Sequence, residues 1–159
     1  MKSVYIFLLA FLLFIAPYST IADEARDTFT FSLGEGISLN LTATQVNEKN
    51  HKITECKIND RPSVCLIDGK PIFGTDLDLP RNQLVKATIK IGKNTINLDV
   101  TCMYNPWFGK PDVKNFTLKK AYGGYLISGY FSDGAGSYEA EWFVIENSAV
   151  RTRLVKGEC

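Results

Sequence analysis

Two pairs of carboxylates are the residues of this sequence whose types and spacing could support catalysis. Asp76 and Asp78 lie in the segment GTDLDLP, and Glu139 and Glu141 alternate with apolar residues late in the chain. Glycoside hydrolysis requires only two carboxylates at a set separation, so these residues are compatible with that reaction. The alternative for Asp76 and Asp78 is a solvated loop or a weak calcium site, because acidic residues are common on soluble surfaces.

Glu139 and Glu141 also have a structural interpretation. Their alternation with apolar neighbours predicts that both glutamates face solvent. If the following turn centres on Glu146, Arg151 lies opposite Glu141 and Arg153 lies opposite Glu139. Exposed cross-strand ion pairs of this kind contribute less than ~1 kcal/mol each. We therefore interpret the two glutamates as surface ion-pair partners.

The other reactive residues do not form a catalytic set in the sequence. His51 is the only histidine, and in the polar segment NEKNHK we expect it to be solvated. A serine triad needs a histidine beside a nucleophile motif, and the sequence around His51 has none. Cysteine catalysis conflicts with an even cysteine count in an exported protein. Neither a phosphate-binding loop nor zinc-ligand spacing occurs, so we predict a non-enzymatic protein without cofactor or metal.

A loop of small residues is the first candidate for binding a partner. The segment SDGAGSY (residues 132–138) joins two predicted strands. Its small residues let the backbone approach another surface, and Tyr138 belongs to a residue type enriched in binding hot spots. The alternative is a plain hairpin turn with Tyr138 in the core. The candidate residues here are Asp133, Gly134, Gly136, Ser137 and Tyr138.

An aromatic segment is the second candidate. In MYNPWFGKP (residues 103–111), Tyr104, Trp107 and Phe108 lie close to Pro106. These rings form either an exposed patch for a partner or a lid over one end of the core. We include all three among the predicted partner-binding residues.

The chain resembles the periplasmic lysozyme inhibitors in its export signal, cysteines, β-rich pattern and small-residue loop ending in Ser-Tyr. In those proteins a Ser/Gly-rich loop followed by an aromatic residue enters the hydrolase cleft. The matching stretch here runs from Ser132 to Tyr138. Immunity proteins that neutralise exported cell-wall-degrading toxins are similar in size, export and β content. The resemblance implies a protein that blocks a hydrolase or toxin by loop insertion.

The elements that position both loops are predicted to be β-strands. Apolar residues alternate in eight strand-like segments, and turn residues separate them. A short helical turn is expected only from Leu77 to Leu84. The pattern predicts an all-β fold, an antiparallel sandwich or barrel of about eight to ten strands. The segments are residues 28–33, 37–43, 85–91, 96–102, 113–118, 125–131, 138–145 and 149–155.

The register of one central hairpin follows from its apolar rows. A four-residue loop at residues 92–95 places Ile91 opposite Ile96 and Val85 opposite Cys102. Both apolar rows then face the core, with Cys102 pointing inward.

The four cysteines predict two disulfides. Cys56 and Cys65 flank the turn sequence Asn59-Asp60-Arg61-Pro62. A four-residue hairpin loop would place these two cysteines directly opposite each other, close enough to bridge. Cys102 is then left to pair with Cys159, although four cysteines allow three connectivities.

The first 22 residues match a secretory signal peptide. Lys2 precedes an uncharged apolar run, and Thr20 and Ala22 supply the small residues of a cleavage site. The remaining chain, residues 23–159, is predicted to be one domain in the periplasm or outside the cell, without a stable membrane anchor. Because Lys2 accounts for the net charge of +1, the mature domain is neutral, and nucleic acid is not a predicted partner.

Together these features predict an exported, non-enzymatic binding protein, most simply an inhibitor or immunity protein whose partner is a hydrolase or toxin. One alternative is a small carbohydrate-binding or glycan-hydrolysing domain that uses exposed aromatic rings and carboxylates. A second alternative is an accessory subunit of a surface structure.

Overall fold

The computed structural model describes residues 26–157. The predicted signal peptide and Cys159 lie outside these residues. Within them the chain forms eleven strands and three short 3₁₀ helices, which confirms the predicted all-β, antiparallel fold. No helix in this part of the chain is long and apolar enough to cross a membrane.

The strands form three antiparallel sheets, ordered β1-β2-β6-β7, β11-β10-β9-β8 and β3-β4-β5. The 3₁₀ helices are Glu48–Asn50, Val113–Asn115 and Gly134–Gly136. The strands are β1 (Arg26–Gly34), β2 (Ile37–Gln45), β3 (Ile53–Ile58), β4 (Arg61–Ile67), β5 (Lys70–Pro71), β6 (Asn82–Ile91), β7 (Asn94–Leu98), β8 (Phe116–Ala121), β9 (Gly124–Phe131), β10 (Tyr138–Ile145) and β11 (Ser148–Lys156).

The core lies between the two four-stranded sheets. In β2 and β10 every second side chain is buried, so the inner face of each four-stranded sheet is apolar. The inner row of β10 is buried; it comprises Tyr138, Ala140, Trp142 and Val144. Aromatic rings connect the sheets: Phe31 of β1 lies 4.7 Å from Phe116 of β8, measured between ring centroids, and Phe116 lies 5.7 Å from Phe131 of β9.

The third sheet is a small hairpin arm closed by a disulfide. The Cys56–Cys65 bridge is confirmed, with a Cα–Cα distance of 5.9 Å. The predicted register is wrong, because the turn has two residues and Cys56 lies opposite Ser63. Asn59 and Asp60 adopt φ values of 50° and 61°, which suit a tight hairpin turn. A register shift between Thr54 and Glu55 brings Cys65 back within reach of Cys56.

The hairpin of β6 and β7 keeps the predicted faces but not the predicted register. Its turn also has two residues, so Ile89 lies opposite Ile96, where Ile91 was expected. The register differs by two residues, and a shift of two returns side chains to the same face. Ile89 and Ile96 are therefore both buried.

Val85 and Cys102 do not form the predicted inward pair. A bulge in β6 leaves Val85 unpaired and 42% exposed, while Leu84 takes the buried position. Strand β7 ends at Leu98, so Cys102 lies beyond it in a turn, with a φ of 72°. Its side chain is half-buried, and its predicted partner, Cys159, lies outside the described residues.

The helical turn predicted from Leu77 to Leu84 is wrong. Leu77 has a φ of 72°, which lies outside the right-handed helical region, and β6 begins at Asn82. Pro80 is fully buried, so tertiary packing determines this segment, whereas local propensity does not.

Candidate functional site

The two predicted loops meet at one end of the sandwich. We call residues 132–137 the glycine loop and residues 103–111 the aromatic loop. The backbone N–H of Ser132 donates to the carbonyl oxygen of Pro106 at 3.0 Å, which joins them directly. A Cβ atom at Gly136 would lie 3.3 Å from the backbone of Gly74 and Thr75, so the glycine loop also packs on that segment. Segments that are distant in sequence thus form one surface.

The glycine loop is a short, folded projection. It connects Phe131 of β9 to Tyr138 of β10, which are paired at its base. The N–H of Ser137 donates to the carbonyl of Gly134 at 3.0 Å, and the carbonyl of Ser137 accepts from the N–H of Gly157 at 2.8 Å. Asp133, Gly134 and Ala135 form the exposed tip.

Asp133 is a free acceptor at this tip. It occupies the N-cap position of the Gly134–Gly136 turn, yet its side chain makes no capping hydrogen bond. In contrast, the side chain of Asp112, which caps the Val113–Asn115 turn, accepts from the N–H of Lys114 at 2.9 Å. The carboxylate of Asp133 is therefore available to a partner.

Tyr138 and Ser137 do not belong to the accessible part of the site. Tyr138 is 0% exposed and stacks on Phe131 with 5.2 Å between ring centroids, so the core alternative is the one the structure shows. Burial also raises the pKa of its hydroxyl well above the ordinary value. Ser137 is 2% exposed. The alternation of β10 extends to its first residue, which places Tyr138 on the inner face.

The aromatic loop divides into buried and exposed rings. Phe108 is 60% exposed, whereas Trp107 is half-buried with its ring edge-on to Phe29 at 4.9 Å. Tyr104 is 8% exposed, and burial raises its pKa to about 12. The loop is thus both a lid, through Tyr104 and Trp107, and an exposed patch, through Phe108.

Asn105 holds the aromatic loop in place, and the sequence did not single it out. Its side-chain Oδ1 accepts from the N–H groups of Arg81 and Asn82 at 2.9 and 3.0 Å. Its Nδ2 donates to the carbonyl of Gly74 at 2.8 Å. Asn105 is 7% exposed and has a φ of 36°, a backbone region that asparagine tolerates better than most residues. A polar residue next to Pro106 in a loop was the only available signal.

A groove of about 550 Å³ runs beside the aromatic loop. Phe29, Trp107 and Phe108 provide its apolar surface. Asp27, Arg81 and Lys110 add charges of both signs along its length. A groove lined by aromatic rings and a few polar groups suits recognition of another molecule.

The carboxylate pair in the segment 76–78 lies on the surface of a loop. Asp76 and Asp78 are both exposed. Thr75 Oγ1 donates to the backbone carbonyl of Asp78 at 2.5 Å, which stabilises the loop. Within residues 26–157, no group of three or more His, Cys, Asp and Glu residues is arranged to hold a metal ion.

One of the two predicted glutamate–arginine pairs is confirmed. Arg153 Nη2 lies 3.5 Å from Glu139 Oε2, although Arg153 is opposite Glu141 in the register. The predicted pair of Arg151 with Glu141 is wrong, because a bulge follows Glu141 and Arg151 instead lies 3.1 Å from Asp99 Oδ2. The carboxylate of Glu141 instead accepts hydrogen bonds from two hydroxyl groups, Ser128 Oγ at 3.2 Å and Thr152 Oγ1 at 2.8 Å.

The prediction that His51 is solvated is wrong. Its side chain is 16% exposed, and its Nδ1 lies 2.8 Å from Asp68 Oδ2. The hydrogen bonds from His51 and from the N–H of Lys52 lower the pKa of Asp68. Tyr104 and Cys102 line the same pocket of about 290 Å³.

Comparison with known proteins finds no matching family model, no matching curated protein and no matching solved structure.

Proposed function

We propose that this protein is an exported binding protein that blocks a hydrolase or toxin, with the glycine loop inserted into the partner's cleft and Phe108 packed beside it. The hydrogen bond between Ser132 and Pro106 carries the proposal, because it joins both loops into one surface. The exposed centre of that surface comprises Asp133, Gly134 and Phe108, supported by Gly136 and Trp107.

The shape of this end of the molecule supports the proposal. The tip of the glycine loop has no side chain larger than that of Asp133, so its backbone can enter a narrow cleft. Both loops are anchored by hydrogen bonds at their bases, so little conformational freedom remains to be lost on binding. An exposed aromatic ring beside such a projection provides the apolar contact typical of binding hot spots.

The charge of Asp133 determines what it contacts. A glycan hydrolase carries catalytic carboxylates, which would repel the carboxylate of Asp133. The proposed contacts of Asp133 are therefore cationic side chains or backbone N–H groups at the rim of the cleft. We expect this contact to weaken at high ionic strength.

The observed disulfide supports a location in an oxidising compartment. Disulfides such as Cys56–Cys65 form and persist in oxidising environments. The proposed location is the periplasm or the medium, reached after cleavage of the signal peptide formed by residues 1–22.

Inhibition of a panel of purified peptidoglycan hydrolases, both muramidases and amidases, tests the proposal. The wild-type mature chain should inhibit one of them, and Phe108→Ala should weaken binding by about 30-fold or more. Asp133→Asn should weaken it less, with the difference largest at low salt. The control is Tyr122→Ala, which removes another exposed ring outside the two loops.

Equal inhibition by wild type, Phe108→Ala and Asp133→Asn would overturn the assignment of the site. If the purified protein hydrolyses glycans, the enzymatic alternative replaces the proposal. Recovery of the protein only in high-molecular-weight surface assemblies would favour the accessory-subunit alternative.

A further inference from the structure

A second groove lies on the outer face of the β11-β10-β9-β8 sheet, away from the core. Its volume is about 420 Å³, and Lys114 and Asn115 of the Val113–Asn115 turn form part of its lining. We propose that this groove binds a neutral oligosaccharide. The proposed inhibitor function does not depend on it.

A continuous row of polar side chains forms part of the groove. Thr117, Ser128, Glu141 and Arg153 lie opposite one another on four consecutive strands. Strands are ~4.8 Å apart, so the row spans about 14 Å. A second row places Tyr130 opposite Glu139. The groove is therefore long enough for an extended ligand.

Hydrogen-bonding capacity indicates a ligand rich in hydroxyl groups. Ionised carboxylates only accept hydrogen bonds, whereas Arg and Lys only donate them. A sugar hydroxyl does both, so it can bridge Glu139 or Glu141 to Arg153. Such groups fix orientation in ligand-binding sites.

The acceptors in the groove are already oriented. Each carboxylate oxygen of Glu141 accepts one hydroxyl hydrogen bond, from Ser128 at 3.2 Å and from Thr152 at 2.8 Å. Arg153 lies 3.5 Å from Glu139. Each carboxylate oxygen has a second lone pair, so these contacts leave acceptor positions for a ligand. Preorganised groups lose less entropy on binding.

The charge balance favours a neutral ligand. Glu139 and Glu141 contribute two negative charges, and Lys114 and Arg153 contribute two positive charges. Neither an anion nor a cation would find a net attraction there. Tyr130, 40% exposed, supplies a flat apolar ring for the carbon-bound hydrogens of a sugar.

The test is a titration of ¹⁵N-labelled mature protein with chitotetraose and, separately, with cellotetraose, followed by NMR. We expect saturable shifts of amides in β8 to β11 around Ser128 and Glu139 with at least one tetrasaccharide. Tyr130→Ala and Glu141→Gln should each weaken binding by about tenfold or more, and Tyr130→Phe should retain it because the ring face remains.

Tyr122→Ala and Phe108→Ala are the controls. Tyr122 is an exposed tyrosine, 89% accessible, that follows β8 at the other end of the same sheet, and Phe108 belongs to the aromatic loop. Both variants should bind the sugar as the wild type does, and unchanged core amide shifts verify folding in every variant. The proposal is overturned if neither tetrasaccharide gives saturable shifts, if the shifts map outside the groove, or if Tyr130→Ala binds normally.

Discussion

Arg151 joins the two four-stranded sheets at one edge of the sandwich. Its Nη2 lies 3.1 Å from Asp99 Oδ2, and its Nη1 donates to the carbonyl of Thr101 at 2.6 Å. The carbonyl of Asp99 also accepts from Trp142 Nε1 at 2.8 Å. Arg151 and Trp142 belong to the second sheet, whereas Asp99 directly follows β7 of the first, so these contacts tie the sheets together.

Replacing Arg151 should therefore lower the free energy of unfolding more than replacing Arg153 does. We expect Arg151→Ala to lower the free energy of unfolding by about 2 kcal/mol, because it removes charge-assisted hydrogen bonds and leaves the carbonyl of Thr101 without this donor. Arg153→Ala is the matched control, since its pair with Glu139 is exposed and should contribute less than about 1 kcal/mol. Urea denaturation of the two variants measures the difference, and equal losses would contradict the prediction.

Asp99 makes stability depend on pH. Partial burial raises its pKa, but the hydrogen bonds from Thr101 and the positive charge of Arg151 outweigh that effect, so the pKa lies below its ordinary value. A carboxylate with a lowered folded-state pKa stabilises the protein above the pKa of the unfolded chain. That stability is lost as the pH falls through the folded-state value.

We expect Asp99→Asn to be less stable than the wild type at neutral pH. The two proteins should begin to converge below about pH 4, where Asp99 of the unfolded chain takes up a proton, and should become similar once the pH has fallen through the lower folded-state pKa. Thermal unfolding midpoints measured from pH 7 to pH 2 test this. A stability difference that stays constant over this range would show that the charge of Asp99 does not contribute.

At the scale of elements, hairpin turns and bulges determine which residues reach the site. Two-residue turns close the β3–β4, β6–β7 and β10–β11 hairpins, whereas the β9–β10 connection has six residues. The longer connection is what projects as the glycine loop. It packs on the segment around Gly74, which the side chain of Asn105 also holds through the Gly74 carbonyl.

Gly74 is the position where these segments approach most closely. Its φ is +99°, and a Cβ atom there would overlap the backbone carbonyl of Tyr104. We expect Gly74→Ala to lower the free energy of unfolding by about 3 kcal/mol or more, through strain and overlap combined. Gly36→Ala is the control, because its φ is +71° with no atom within 4 Å of the added Cβ, and it should cost about 1 kcal/mol. Chemical denaturation measures the free energy of unfolding of both variants. Similar losses of stability in Gly74→Ala and Gly36→Ala would contradict a close approach at Gly74.

At the scale of the whole molecule, the observed disulfide and the predicted one would restrain different parts of the chain. The Cys56–Cys65 bridge is internal to the hairpin arm, so it does not link the glycine loop or the aromatic loop to another part of the chain. The pairing of Cys102 with Cys159 stays a prediction. It would fasten the last residue to the segment between β7 and the aromatic loop.

Peptide mass mapping under non-reducing conditions tests that pairing. We expect a Cys102–Cys159 linked peptide, and no alkylation of either cysteine before reduction. Loss of this bridge in Cys102→Ser with Cys159→Ser should lower stability by about 2–4 kcal/mol, because the closed loop is long. Alkylation of both thiols in the native protein would contradict the prediction.

The amino-acid sequence by itself determined the all-β fold and most of the strand segments and inner faces, because burial of one face imposes a period of two on the side chains. The segments predicted at residues 96–102 and 113–118 are strand only up to Leu98 and from Phe116, because a turn follows the first and a 3₁₀ helix precedes the second. It also predicted that Cys56 pairs with Cys65, and it located both loops. The exact registers were not available from the pattern, because a shift of two residues or a local bulge preserves most of the alternation.

Only the tertiary structure decided which loop residues are accessible. Tyr138 and Phe108 are both aromatic residues in or beside a predicted binding loop, yet one is fully buried and the other is 60% exposed. The meeting of the two loops and the hydrogen bonds of Asn105 depend on segments that are distant in sequence. Contacts of this kind follow from how the sheets pack, and the residue composition of a local segment does not predict them.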